Sequence, residues 1–226
     1  MKDRVIAVTG AAGILGSALA RRLAGDGAQI VGIDLAKSFP ADAPLALALP
    51  GVDLADEAAI NAAFAAIAQR FGKLDGLANI AGGFRWETLE GGGVETWDKL
   101  YTMNVRTAVL ACKAATPLLT KGGGAIVNVS ANATFRADAG MGAYTASKSG
   151  VSRLTESLAA ELKDKNVRVN AVMPSIIDTP ANRADMPDAQ FDRWVTPEAL
   201  SDVISFLLSD AARAITGALL PVTGRI

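Results

Sequence analysis

The chain has 226 residues, a formal net charge of −1, half of its residues apolar, one cysteine and no histidine. This balance excludes a basic nucleic-acid binder or membrane-surface binder, and no uncharged apolar run reaches the roughly 20 residues that span a bilayer. A lone cysteine excludes an internal disulfide and fits a cytoplasmic protein, and the absence of histidine argues against a metal site. The length and composition predict one α/β domain over residues 1–226.

The first 34 residues have the pattern of a nucleotide-binding unit. A strand over Val5–Val8 leads into a glycine turn at Thr9–Gly16, a helix, and a strand over Gln29–Ile33 followed by Asp34. Glycines let the turn bend tightly and approach a pyrophosphate, and the N–H groups at the start of the helix bind its phosphates. The predicted cofactor contacts here are Gly10, Gly13, Ile14, Leu15, Gly16 and Asp34.

Asp34 bears on the choice between the two nicotinamide cofactors. Its carboxylate would accept hydrogen bonds from the adenosine ribose and would repel a 2′-phosphate, which favours NAD(H). Lys37 lies three positions later and leaves NADP(H) open as a second cofactor.

The next elements are a strand, a helix and another strand. The strand over Leu45–Val52 is followed by Asp53, whose carboxylate either caps the next helix or contacts adenine, and capping is the expected role. An amphipathic helix covers Glu57–Phe71, and a strand over Leu74–Ile80 runs into the small residues of Asn79–Gly83. Small residues at the carboxyl end of a parallel strand leave room for a ligand.

Residues 84–120 allow more than one interpretation. Phe84 follows the strand closely, and its ring either stacks on a flat substrate or packs inside a loop that extends to Gly93. Residues 95–120 predict a long helix broken at Pro117. Within it, Asn104 either bonds a local carbonyl or bends the helix and holds a water near Lys148.

The second half of the chain continues the alternation of strands and helices. Strands are expected over Ala125–Ser130, Val167–Met173 and Gly217–Val222, with helices over residues 145–163 and Pro197–Leu208. Between them, residues 175–194 form a polar, proline-punctuated stretch that could lie over a bound ligand. The complete pattern predicts a Rossmann-like, doubly wound parallel sheet of about seven strands with helices on both faces.

Tyr144 and Lys148 form the candidate catalytic pair. They are four residues apart, so on a helix they lie one turn apart on the same face. A neighbouring ammonium stabilises a phenolate and lowers the phenol pKa towards neutral pH. The pair therefore provides a general acid in a chain that has no histidine.

Taken together, these motifs resemble the short-chain dehydrogenase/reductase family along nearly the whole chain. The resemblance implies hydride transfer between a nicotinamide and a small organic substrate, with Tyr144 as proton donor, Lys148 holding the ribose and Asn104 supporting a proton-relay water. It also implies a homodimer or homotetramer in which the helices at 95–120 and 145–163 pair between subunits. The further cofactor contacts that it implies are Asp53, Asn79, Ala81, Gly82, Tyr144, Lys148, Pro174, Ile177 and Thr179.

Two departures from the usual pattern of that family affect the expected chemistry. The glycines of the first turn are spaced three apart, and Ala131 occupies the position of the usual active-site serine, thirteen residues before the tyrosine. The adjacent Ser130 is expected to point to the other face of its strand and to be structural. Thr134 or Asn132 could replace the missing hydroxyl, and both alternatives stay open.

Both departures are similar to one branch of the family, the dihydropteridine reductases. That branch also resembles this chain at Gly140-Met141 and along residues 178–194. The resemblance implies reduction of a quinonoid dihydropterin by NADH, with Phe84, Ala131 and Thr134 near the substrate. The alternatives are a general carbonyl reductase or alcohol dehydrogenase, and a dinucleotide-binding sensor without turnover.

Overall fold

The computed structural model describes all residues from 1 to 226, and its centre is one parallel sheet of seven strands. The strand order is β3-β2-β1-β4-β5-β6-β7. The strands are β1 (Val5–Thr9), β2 (Gln29–Ile33), β3 (Leu47–Leu49), β4 (Gly76–Asn79), β5 (Gly124–Val129), β6 (Val167–Pro174) and β7 (Leu219–Val222). The helices are α1 (Ile14–Gly25), α2 (Glu57–Phe71), α3 (Val94–Tyr101), α4 (Thr107–Leu119), α5 (Gly142–Leu162), α6 (Pro180–Asp185) and α7 (Pro197–Leu208).

The sheet is covered on both faces, which confirms the predicted doubly wound architecture. Successive residues of a strand point to opposite faces, so Ile6 and Val8 pack with α1 and α7, while Val5 and Ala7 belong to the cluster that contains α2, α4 and α5. Every residue of β1 is buried, as expected for a parallel strand that lies between two helical layers.

The predicted element boundaries differ from the structure mainly at the edge strand and in the long helix. β3 has only three residues, because the flanking backbone at positions 45–46 and 50–52 forms loops and turns. The predicted break at Pro117 is wrong: α4 continues through Pro117 to Leu119. The irregularity lies earlier, where residues 102–106 form a π-helical turn that contains Asn104.

The order of the strands places a crevice at the centre of one sheet edge. β1 pairs with β2 on one side and with β4 on the other, so the connections after β1 and β4 diverge from neighbouring strand ends. Ligands of open α/β sheets bind at such a divergence, outside the carboxyl ends of the strands. No helix of the structure combines the length and the apolar character that crossing a bilayer requires.

Candidate active site

The glycine turn after β1 forms a phosphate cradle. Gly10 has a φ of +68°, and its N–H donates to the Ile33 carbonyl at 2.9 Å, which bends the chain sharply back towards α1. A Cβ on Gly16 would collide with the Gly10 carbonyl, so α1 packs against the turn more closely than any side chain permits. Because Gly13 provides no side-chain cap, the first N–H groups of α1 are available to an anion.

Asp34 is held at the rim of this cradle by the turn itself. One carboxylate oxygen accepts a hydrogen bond from the Ala12 N–H and the other from the Ala36 N–H, both at 2.9 Å. Each oxygen keeps a free lone pair, so the oriented carboxylate can also accept bonds from a diol such as the adenosine ribose.

The cradle opens into a cavity of about 900 Å³. Its walls come from the glycine turn, from the ends of β2, β3 and β4, and from one side of α3 and the π turn. The lining residues are Gly10, Ala12, Gly13, Ile14, Leu15, Gly16, Asp34, Leu35, Ala36, Asp53, Leu54, Ala55, Ile80, Ala81, Gly82, Asp98, Lys99, Thr102, Met103, Thr107 and Thr179. The free N–H groups, the oriented carboxylate and this volume fit a nicotinamide dinucleotide.

Asp53 lines the cavity and does not cap the following helix. Its carboxylate accepts a hydrogen bond from the Ala55 N–H at 2.8 Å, whereas α2 is capped by Asp56, which accepts from the Ala58 N–H. The expectation that Asp53 caps the helix is therefore wrong, because the cap lies three residues later. Its contact with adenine stays a prediction.

Tyr144 and Lys148 lie on the first two turns of α5, and neither is among the residues that line this cavity. The Lys148 side chain is buried, and its ammonium donates to the Val129 carbonyl at 2.8 Å. A Cβ on Gly82 would lie 3.2 Å from the Lys148 Nζ, so the small residue lets the ammonium approach the cavity wall.

The pKa values of this pair in the free protein run against the expectation from the sequence. Burial raises the pKa of Tyr144 to about 12 and lowers the pKa of Lys148 to about 8. The predicted lowering of the phenol pKa by Lys148 is therefore not seen, because desolvation disfavours both charged forms. A catalytic acid or base at this position needs further stabilisation of its charge when ligands bind.

Asn104 does not bond a local carbonyl, because its side chain reaches Gly83, 21 residues earlier in the chain, and its support of a water near Lys148 stays a prediction. Its Oδ1 accepts from the Gly83 N–H at 2.9 Å, and its Nδ2 donates to the Gly83 carbonyl at 3.1 Å and to the Ser147 Oγ at 2.9 Å. The Ser147 hydroxyl in turn donates to the Tyr144 carbonyl at 2.7 Å. Asn104 thus joins the segment after β4 to α5, and Ser147 is a positioning residue that the sequence motifs did not reveal.

The positions around Ala131 explain which hydroxyls are available for a substrate. Ser130 is buried, and its hydroxyl bonds the Lys148 carbonyl and the Ser152 hydroxyl, in agreement with its predicted structural role. The Thr134 hydroxyl donates to the Ala131 carbonyl at 2.8 Å, whereas the Asn132 amide has no hydrogen-bond partner within the protein. Of the two open alternatives, Asn132 is the one with free donors.

Three further predicted cofactor residues lie outside the cavity lining. Asn79 is buried, and its Nδ2 donates to the Asn128 Oδ1 at 2.8 Å and to the Cys112 Sγ at 3.2 Å, so its side chain joins β4 to β5 and α4. Pro174 is buried at the end of β6, and Ile177 packs against the cluster around α1 and α7. A side chain on a parallel strand can face either helical layer, which the motif alone does not distinguish.

The stretch at residues 175–194 is ordered by its own contacts. Arg183 forms a bidentate ion pair with Asp178 and lies 4.7 Å from the Phe191 ring centroid. Phe191 also contacts Trp194 edge to face, with ring centroids 4.9 Å apart. Thr179 caps α6 and lines the cavity, so this cross-linked segment forms one of its walls.

Comparison with known proteins agrees with the geometry. The sequence model of a family described as enoyl-(acyl carrier protein) reductase matches residues 10–224. The 2-(R)-hydroxypropyl-CoM dehydrogenase of Xanthobacter autotrophicus is 34% identical over 98% of this chain and 98% of its own length. The chain belongs to the short-chain dehydrogenase/reductase family.

Two further proteins illustrate the similarity. The D-threitol dehydrogenase of Mycolicibacterium smegmatis is 36% identical, with 99% of this chain and 93% of that protein aligned. The solved 3-ketoacyl-(acyl-carrier-protein) reductase of Brucella melitensis, complexed with NADH, has a TM-score of 0.90 and 30% identity over 100% of this chain and 99% of that chain. The chain is therefore an NAD(P)-dependent oxidoreductase, and its resemblance to dihydropteridine reductases stays a prediction.

Proposed function

We propose that the protein interconverts a secondary alcohol and a carbonyl compound, with NAD(H) as the preferred cofactor. The observation that carries this proposal is the placement of the Lys148 ammonium directly behind Gly82, which lines the dinucleotide cavity, with Tyr144 one helical turn away on α5. Named relatives that act on alcohols, among them the D-threitol dehydrogenase, support the same class of substrate. The carboxylate of Asp34 at the rim supports NAD(H), since it would repel a 2′-phosphate.

The proposed reaction assigns a role to each group behind the cradle. The chemistry that a nicotinamide would supply when bound is hydride transfer, to the carbonyl carbon in reduction and from the alcohol carbon in oxidation. Tyr144 gives its phenolic proton to the developing alkoxide in reduction and takes the proton back in oxidation. The Lys148 cation stabilises the phenolate that results, and Asn104 with Ser147 holds the backbone of α5 in place.

A second candidate is the reduction of an activated planar ring of the quinonoid dihydropterin type. It is favoured by Ala131, because that position offers no hydroxyl to polarise a carbonyl. It is also favoured by Phe84, which is half-exposed and meets the Tyr144 ring edge to face with centroids 4.9 Å apart. A substrate that is already electron-poor needs less polarisation than a ketone does.

NADH oxidation by the wild-type enzyme separates these candidates. The acceptors are a panel of ketones and a quinonoid dihydropterin, and the first candidate predicts the higher kcat/KM with a ketone. Ala131→Ser should then raise ketone turnover, since one such donor is worth about 10²–10³ in rate. Ala137→Ser, exposed in the same loop, is the matched control.

The opposite outcome is equally informative. A preference for the dihydropterin, unaffected by Ala131→Ser, would refute the first candidate and support the second. Tight NADH binding without oxidation by any acceptor would refute both and leave the sensor.

We also propose that the protein is a cytoplasmic homo-oligomer. An apolar stripe of exposed side chains follows one side of α3 and α4, and consists of Val94, Trp97, Tyr101 and Val109. Helical spacing places these residues on one face, which supports pairing with a second copy. Light scattering coupled to size-exclusion chromatography tests it, and a monomer at micromolar concentration would refute it.

A further inference from the structure

Two loops that leave neighbouring strands are joined beside Tyr144. Residues 80–93 connect β4 to α3, and residues 130–141 connect β5 to α5. The Trp86 indole N–H donates to the Ala139 carbonyl at 2.9 Å, and the Glu87 N–H donates to the Gly140 carbonyl at 2.9 Å. The two bonds hold the loops together immediately before the first turn of α5.

Glycine is required at position 140 for two independent reasons. Its φ is +75°, a backbone conformation that L side chains rarely adopt. A Cβ at Gly140 would also collide with the Trp86 indole, which lies directly on the glycine backbone. We call this joint of Trp86, Glu87, Ala139 and Gly140 the clasp.

The far end of the first loop is fixed by the Glu87 side chain. Its carboxylate accepts bonds from the Thr96 hydroxyl at 2.6 Å, from the Arg85 Nε at 2.7 Å and from the Gly93 N–H at 2.9 Å. The Thr96 and Arg85 bonds hold the pKa of Glu87 below its usual value. Gly93 precedes α3 and has no capping side chain of its own, so Glu87 ties the loop to the start of α3.

Phe84 and its aromatic partner both lie close to the clasp along the chain. Phe84 is two residues from Trp86 and meets Tyr144, which is four residues from Gly140. The planes of the two rings are nearly perpendicular, with an angle of 85° between them. Each ring belongs to a short segment, and the clasp joins these two segments to each other. None of the clasp residues lines the cofactor cavity.

We propose that Trp86 is a positioning residue for the reaction: by holding Gly140 it fixes Phe84 against Tyr144 as one rigid wall of the substrate site. The clasp would thus act on substrate binding and orientation but not on cofactor binding. This inference rests on the proposed function where it uses turnover, but its structural part can be measured without a substrate.

The test compares Trp86→Ala and Trp86→Phe with Leu89→Ala. Leu89 is the matched control, because it is exposed in the same loop and lies outside the clasp. We expect Trp86→Ala to lower kcat/KM for the best acceptor by about 10- to 100-fold, the usual penalty for a small misplacement of reacting groups. Trp86→Phe keeps a ring on Gly140 and should recover part of the loss, while the Kd for NADH stays unchanged in every variant.

Hydrogen exchange of the ligand-free protein provides the second readout. Trp86→Ala should speed amide exchange in residues 84–93 and 136–141 together and leave the glycine turn at residues 9–16 unaffected. Wild-type-like kcat/KM in Trp86→Ala, or an equal loss of NADH affinity, would overturn the positioning role. If the wild-type enzyme reduces no acceptor, the proposed function fails, and the exchange data alone then decide whether the clasp exists.

Discussion

The cofactor side and the substrate side of this molecule are built in different ways. The cradle is made by contiguous residues: the Gly10 N–H bonds the Ile33 carbonyl, and Asp34 bonds back to Ala12, all within one strand–turn–helix–strand unit. The substrate side is assembled from segments that are distant in the sequence. Hydrogen bonds join these segments, for example from Trp86 to Ala139 and from Asn104 to Ser147.

Because of this difference, we expect the two sides to tolerate different amino-acid substitutions. In the cradle, backbone atoms approach so closely that an added methyl group is the most damaging change. On the substrate side, side chains carry the connections, so a substitution can alter the wall around Tyr144 while the cradle persists. Four predictions test this division, from the largest expected effect to the smallest.

Removing the phenolic hydroxyl of Tyr144 should have the largest effect, because it should reduce turnover without changing cofactor binding. Tyr144→Phe should lower turnover by about 10²–10⁴, the usual contribution of a general acid, and leave NADH affinity unchanged. Steady-state kinetics and a fluorescence titration with NADH measure the two quantities. Tyr101→Phe is the matched control at the only other tyrosine. Comparable turnover in both variants would remove Tyr144 from the mechanism.

Lys148 should make the stability of the free protein depend on pH. The folded pKa is about 8, below the ordinary 10.5, so between these values the unfolded chain binds the proton that the folded chain has released. The free energy of unfolding should therefore rise with pH between these two values, by about 3 kcal/mol in total. The raised pKa of Tyr144 opposes this only above its ordinary value of 10.0.

Urea unfolding of wild type and Lys148→Met at several pH values from 7 to about 10 measures this effect. The variant should lack the rise that the wild type shows. Parallel curves for the two proteins would mean that the ammonium is better solvated than its buried position indicates.

A methyl group in the cradle should have the next largest effect. Gly16→Ala forces the added methyl group against the Gly10 carbonyl and should cost about 1–3 kcal/mol of stability and most of the NADH affinity. Gly25→Ala lies in the same helix with open space around it and should be neutral or stabilise by about 0.4–1 kcal/mol. Thermal unfolding and NADH titration compare the pair, and equal behaviour would contradict the close packing of α1.

The smallest effect is expected at the rim. Asp34→Asn keeps one acceptor oxygen, so NADH binding should weaken by about 1.5 kcal/mol, roughly tenfold in Kd, while NADPH binding should improve. Asp42→Asn, exposed in the following loop, is the control. Measured affinities that keep the wild-type preference for NADH would show that another residue discriminates between the cofactors.

The parts predicted from sequence are those that depend on local spacing. The seven parallel strands, α2 and the glycine turn with Asp34 follow from periodicity and from contiguous motifs, and the structure confirms them. The boundaries of β3 did not follow, and an irregular helix at Asn104 followed only as one of two alternatives, because both features depend on which distant backbone groups find a partner. The cap at Asp56 was missed although it is local, since two candidate acidic residues lie three positions apart.

The amino-acid sequence by itself determined the layered fold, the cradle and the presence of a Tyr144–Lys148 pair, because hydrophobic period and glycine spacing act within a few residues. Tertiary structure alone decided the environment of that pair: the burial that raises one pKa and lowers the other, the Asn104–Ser147 link, and the clasp at Gly140. The Asn104–Ser147 link and the clasp join segments more than 40 residues apart, and the pKa values depend on desolvation, so no local pattern encodes these features.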